Sequence, residues 1–239
     1  MKTRALLEMS VESLEAAMAA TRGGADRLEL CENLSVGGVT PSKTLMQEAR
    51  EQIRVPIFAM IRPRRGDFVY GAAEFEEMKT QIGLARAAGM DGMVFGILTR
   101  ARQVDVARNS VLVKLAAPLP VTFHRAFDEL ADLEQGLEDV IAAGATRVLT
   151  SGGAATAEEG CRELAALVKR AGERTMILPG GGIRPGNLRR IVQETGAREY
   201  HSGLSHARRK REEFEAGVRE LARVLEEEAG KLQVSPAHS

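Results

Sequence analysis

Two hydrophobic rhythms alternate along this chain. Short apolar runs stand at residues 5–9, 27–31, 57–61, 93–95, 121–124, 147–150, 176–178 and 199–201, each the length of a β-strand. After each run the apolar residues recur every three or four positions, the period of a helix with one buried face. Val11, Leu14 and Met18 form the first such stripe, and Phe75, Met78, Ile82 and Ala85 the third. Leu112 with Leu115 mark the fourth, and Leu188, Ile191 and Val192 the seventh. Start signals fall between the two rhythms. Ser10 is placed to cap the first helix, and Thr40 with Pro41 to open the second. Asp132 precedes the fifth, Thr156 with Glu159 forms a capping-box pattern for the sixth, and Pro185 opens the seventh. Residues 212–228 read as the last helix.

A shorter pattern punctuates these units: a helix end, a glycine, then an apolar strand with a polar finish. It appears as GGADRLELC (23–31), AGMDGMVFG (88–96), AGATRVLTSGG (143–153) and TGAREYHSG (195–203). The glycine suits the residue after a helix, where positive φ is cheap only without a Cβ. Eight strand–helix units in 239 residues predict one α/β domain, a (β/α)8 TIM barrel, in preference to an open doubly wound sheet. Only residues 234–239 read as a frayed tail.

Composition narrows the function. Lysine plus arginine and aspartate plus glutamate each total 33, so net charge gives no pull toward nucleic acid or a membrane surface. Aromatic residues are 4% and tryptophan is absent, which removes the usual base-stacking platforms. The basic cluster at residues 208–211 reads as a solvated face balanced by the acidic helix after it. Apolar runs are far too short to cross a bilayer, and Glu8 and Glu12 interrupt any leader-like N-terminus. Two distant cysteines make no disulfide framework, so a cytoplasmic, reducing location is expected.

Chemistry in a barrel gathers at the C-terminal ends of its strands. There this sequence places Glu8, Glu29, Cys31, Arg62, His124 and His201. Strand alternation turns Glu29 and Cys31 away from Leu28 and Leu30, and His124 away from Phe123. Glu8, Glu29, Arg62, His124 and His201 are therefore candidate catalytic residues. The alternative is a closed ion-pair network filling the barrel, with Glu29 paired to Arg62. Two glycine-rich loops are candidate anion cradles: Ser151, Gly152 and Gly153 after the sixth strand, and Gly180, Gly181 and Gly182, followed by Arg184, after the seventh. Residues 62–70, with three arginines, an aspartate and two aromatics, suit either a substrate-recognition lid or a solvent-facing connector. For metal the signals are sparse. No Cys-x-x-Cys, His-x-His or Met-x-x-Met occurs, Cys161 sits on an apolar helix stripe, and Cys31 is the only candidate soft ligand.

Six motifs carry a resemblance across nearly the whole chain to about Ser202. They are GADRLELCENLSVGGVTPS (24–42), MIRPRRGDFVY (60–70), FGILT (95–99), PVTFHRAFD (120–128), LTSGGAAT (149–156) and PGGGI (179–183). By these the chain resembles the CutC copper-homeostasis family. The resemblance implies a cytoplasmic TIM barrel linked to copper handling, with Cu(I) binding in some members, and Cys31 is the candidate ligand for that metal in this chain. It departs after Gly203, where a short basic segment, 204–211, replaces a longer loop. Three functions stay open at this point. One is copper handling through Cu(I), within one chain or in a homo-oligomer. The second is an enzyme acting on a small anionic or phosphorylated metabolite, and the third a barrel serving only as a scaffold.

Overall fold

The computed structural model describes residues 4–204 and 211–234. Residues 208–210 of the basic cluster at 208–211, and residues 235–239 of the tail at 234–239, lie outside them.

Eight parallel strands alternate with eight helices. They are β1 (Leu6–Val11), α1 (Leu14–Arg22), β2 (Arg27–Leu30), α2 (Lys43–Gln52), β3 (Ile57–Met60), α3 (Ala72–Ala87), β4 (Gly92–Phe95) and α4 (Val106–Ala116). The second half follows as β5 (Val121–Phe123), α5 (Leu133–Ala143), β6 (Arg147–Thr150), α6 (Cys161–Ala171), β7 (Met176–Pro179), α7 (Pro185–Thr195), β8 (Glu199–Ser202) and α8 (Arg211–Val234). The strands run in the order β7-β6-β5-β4-β3-β2-β1-β8, and the two outer strands lie against each other. This is the TIM barrel that the rhythm of the sequence predicts. The recurrent glycines do what the pattern requires, since Gly24, Gly89, Gly144 and Gly196 all take positive φ.

Alternation along each strand separates two interiors. Leu7, Met9, Leu28, Leu30, Ile57, Val121 and Phe123 face the helices and merge with Met78, Ile82, Leu112, Leu188 and Ile191 in one large core. Phe58, Met60, Val94 and Cys31 face the other way and form a separate small apolar cluster. The hydrophobic term is concentrated in the outer layer, leaving the centre of the barrel free to hold charge.

Four expectations at the helices are corrected. Ser10 lies within β1, and Ser13 caps α1 by accepting from the Ala16 amide at 3.1 Å. Ser42, not Thr40, caps α2, while the Thr40 hydroxyl donates to Gln81 at 2.6 Å and accepts from the Arg62 amide at 2.8 Å. Leu115 is exposed on α4, because the buried face is carried by Asn109, Leu112 and Ala116. The Thr156–Glu159 capping box forms, but in the turn that leads to α6, which itself begins at Cys161.

Candidate functional site

Arg27, Arg147 and Glu199 open their strands and meet at the floor of the barrel. The Arg27 guanidinium bonds Glu8 on one side and Glu199 on the other, at 2.5 Å, and Arg147 reaches the same Glu199 oxygen at 2.9 Å. Both guanidinium groups stack on Phe58, at 4.9 and 5.2 Å from its ring centre. A closed ion network does fill part of the interior, as one of the alternatives anticipated, but Glu29 and Arg62 are not its members. Its floor residues escape a reading that attends only to strand ends. Parity could have found them, because Arg27 and Glu199 lie two positions before the inward-facing Glu29 and His201.

Above the floor, Glu8, Glu29 and His201 come together, each offering a ligand atom within 4.8 Å of the others. Pairing of β1 with both β2 and β8 makes this possible, since Glu8 stands level with Arg27 and His201. His201 Nδ1 lies 2.7 Å from Glu8 Oε1. Burial opposes charge on Glu8, but Arg27 and His201 outweigh it and hold the carboxyl at about 2. An ionised Glu8 fixes the His201 proton on Nδ1, as an orienting carboxylate does for a catalytic imidazole. Burial also opposes charge on His201, yet Glu29 and Glu8 raise its pKa. Among the described residues Glu29 has no ion-pair partner of its own. Burial lifts it to about 7, with His201 pulling it down and the Glu8 charge pushing it further up. Its Oε2 has no hydrogen-bond partner. A carboxyl that titrates near neutrality beside an oriented imidazole can give or take a proton.

Just beyond the strand ends, on the β3–β5 side, lie Arg62, Tyr70 and His124, all buried. Arg62 bonds the carbonyls of Val36, Gly38 and Gly66 at 2.8–3.1 Å and has no carboxylate within salt-bridge distance. It thereby ties the β2 loop to its own loop. The His124 ring accepts at Nδ1 from the Ala126 amide, 3.3 Å away. Burial and the Arg62 cation push His124 down to about 3, so the ring is neutral and carries its proton on Nε2. His124 is thus a hydrogen-bond donor at neutral pH. Among the described residues Arg62 Nε, Tyr70 OH, Thr122 Oγ1 and His124 Nε2 have no hydrogen-bond partner. A buried polar group left in that state costs about 1–3 kcal/mol, and such groups are expected where a ligand completes them.

The two glycine-rich loops part company. Asp128 fills the first: its carboxylate accepts from the Ser151 and Gly153 amides at 3.0 Å and from the Thr150 hydroxyl at 2.5 Å. The Gly152 amide donates to Thr150 Oγ1. The anion of that cradle belongs to the chain itself, which composition could not reveal because Asp128 lies 22–25 residues away. In the second loop, Gly180 packs beside His201, its ideal Cβ position 3.2 Å from the His201 Cβ, and Gly181 lies under the Arg125 guanidinium. Arg184 turns outward, half to largely exposed, toward Glu158 at 3.8 Å. It lines a surface hollow with Thr156, Glu159 and Arg190, away from the barrel interior.

Cys31 is fully buried and stands apart from the Glu8–Glu29–His201 cluster. Its thiol donates weakly to the Val11 carbonyl at 3.7 Å, and burial with Glu29, Glu12 and Glu32 pushes its pKa far up. Cu(I) prefers thiolate and thioether donors. The carboxylate–imidazole cluster contains no sulfur, and the only sulfur side chain packed with Cys31 in its apolar cluster is Met60. Cys161 is a core residue on α6, as expected, donating to the Ala157 carbonyl at 3.3 Å.

The strands and helices make a (β/α)8 barrel whose interior carries a carboxylate–imidazole cluster. Comparison with known proteins makes the assignment specific. The CutC family pattern matches residues 5–206, and the chain belongs to that family. A family protein CutC of Chromobacterium violaceum is 48% identical over 197 residues, covering 82% of this chain and 80% of that one. The human copper homeostasis protein cutC homolog is 46% identical over 203 residues, covering 85% and 74%. A crystal structure of a CutC protein from Streptococcus agalactiae superposes with a TM-score of 0.79 at 34% identity, over 83% of this chain and 98% of that one. Among the described residues no helix is long and apolar enough to cross a membrane.

Proposed function

We propose that this CutC-family barrel is an enzyme for a small anionic or phosphorylated metabolite, with Glu29 and His201 exchanging protons with the substrate and Glu8 orienting His201. The observation that carries this reading is Glu29: a fully enclosed carboxyl, titrating near 7, with an unpartnered oxygen beside an imidazole held by a second carboxylate. Neutral His124 would donate a hydrogen bond to a substrate oxygen rather than act as base. Two free, buried cysteines support the expected cytoplasmic setting.

The experiment is a metabolite screen by thermal shift, with hits incubated and followed by mass spectrometry. Conversion by the wild type that disappears in both Glu29→Gln and His201→Gln is expected. Conversion that survives in both variants would remove the acid–base assignment.

A second reading is Cu(I) held at Cys31. One observation favours it: Cys31 Sγ and Met60 Cε lie 3.1 and 3.7 Å from the same point, the ideal Cβ position of Gly38. That site would require the thiol to ionise against burial and three carboxylates. Anaerobic Cu(I) competition against a chelator decides it, since a true site is lost in Cys31→Ser.

A further inference from the structure

The segment 62–70 is tied down more firmly than a solvent-facing connector needs to be. Arg64 bonds Asp67 and the Val69 carbonyl, both at 2.9 Å, and also Glu74 at the start of α3. The Phe68 carbonyl accepts from the Leu98 amide at 2.9 Å. This brings the Phe68 ring between two polar groups. Arg62 stands 4.8 Å above the ring centre, and the His124 ring centre lies 4.7 Å away. Tyr70 completes the group, buried to 4% exposure; burial pushes its hydroxyl up to about 12 against the pull of the nearby Arg62 charge.

What these three side chains lack is an acceptor. Among the described residues Arg62 bonds three backbone carbonyls and pairs with no carboxylate, and its Nε is unpartnered. His124 presents an Nε2 proton and Tyr70 a phenol, also unpartnered, and all three side chains are more than nine-tenths buried. A guanidinium, a neutral imidazole and a phenol together match an oxyanion, which accepts several hydrogen bonds and supplies the missing charge. We infer that Arg62, Tyr70 and His124 form the receptor for a carboxylate or phosphate group of the ligand, with the Phe68 ring packed against Arg62 and His124. The inference rests on the metabolite reading above and locates its anion on the β3–β5 side. It does not use the filled cradle at Ser151–Gly153 or the outward-facing Arg184.

The test uses full-length protein labelled with 15N-histidine, titrated separately with inorganic phosphate and with acetate. A saturable shift of the His124 Nε2–H resonance with either probe is expected, and the probe that saturates first distinguishes the two anions. Tyr70→Phe should weaken that probe about tenfold, the equivalent of one lost charge-assisted hydrogen bond. His124→Gln should abolish the shift and weaken binding, followed by calorimetry. No saturable shift with either probe, or unchanged affinity in folded Tyr70→Phe, would overturn the receptor. Glu29→Gln and His201→Gln should bind the probes as the wild type does. Binding retained there while conversion fails to depend on Glu29 would refute the acid–base pair and uphold the receptor. Binding lost there would refute the receptor's separate location.

Discussion

Glu8 of β1 and His201 of β8 stand level on paired strands, with Arg27 level on the strand at the other side of Glu8. Oε1 of Glu8 meets His201 Nδ1 at 2.7 Å while Oε2 meets Arg27. Glu8→Gln keeps the shape and removes the charge that both partners use. Truncating one member of a buried ion pair costs about 3–5 kcal/mol, and urea denaturation should show a loss of that order. The histidine signal is more diagnostic. His201 should titrate at lower pH in the variant, because one of the charges that raises it has gone. An unchanged His201 titration by NMR would contradict the orienting role.

Glu29 makes a prediction of opposite sign. Its pKa rises to about 7 in the folded chain from an ordinary 4.5, so the native state holds this proton more tightly than the unfolded chain. The stability it contributes is complete below pH 4.5 and is lost as pH rises through 7. Glu29→Gln, which mimics the protonated form, should match the wild type near pH 5 and exceed it at pH 8 by about 2 kcal/mol. Equal stability of the two proteins at pH 8 would show that Glu29 ionises without cost.

The glycine-rich loop after β6 yields a rescue experiment. Asp128 supplies the anion that the Ser151 and Gly153 amides receive, and it also pairs with Arg125 at 2.8 Å. Asp128→Ala should lose about 2–4 kcal/mol through orphaned donors. The emptied cradle should then accept sulfate. Thermal midpoints measured against sulfate concentration should climb more steeply for the variant than for the wild type. Parallel slopes would show that the loop closes up once Asp128 is gone.

How far the sequence discloses this site depends on the kind of contact. Inward-facing Glu29, Cys31, Thr122 and His124 follow from alternation within one strand, a local property. The strands themselves were legible for the same reason, since each needs only three to six residues of pattern. Pairings between distant segments are different. Nothing near Arg27 announces Glu199, 172 residues on, and nothing in LTSGGAAT announces Asp128. Arg184 shows the converse. Proximity to three glycines suggested a role at the mouth, yet opening α7 with its N-cap conformation sends the side chain toward Glu158.

Cys31 supplies the last prediction, and it bears directly on copper. The thiol is wholly buried, and burial with three neighbouring carboxylates keeps it protonated. Thiolate is the form that attacks disulfide reagents and binds Cu(I). Native protein should therefore react with Ellman's reagent at neither cysteine on the timescale of minutes, and at both once unfolded in guanidinium, because Cys161 is buried too. Burial limits reagent access as well as charge, so the Cu(I) ion, far smaller than the reagent, provides the complementary probe. If Cu(I) protects Cys31 during brief unfolding, and Met60→Leu removes that protection, the sulfur pair binds the metal. Full labelling of Cys31 in the presence of Cu(I) would leave the family's connection to copper to be sought outside this thiol.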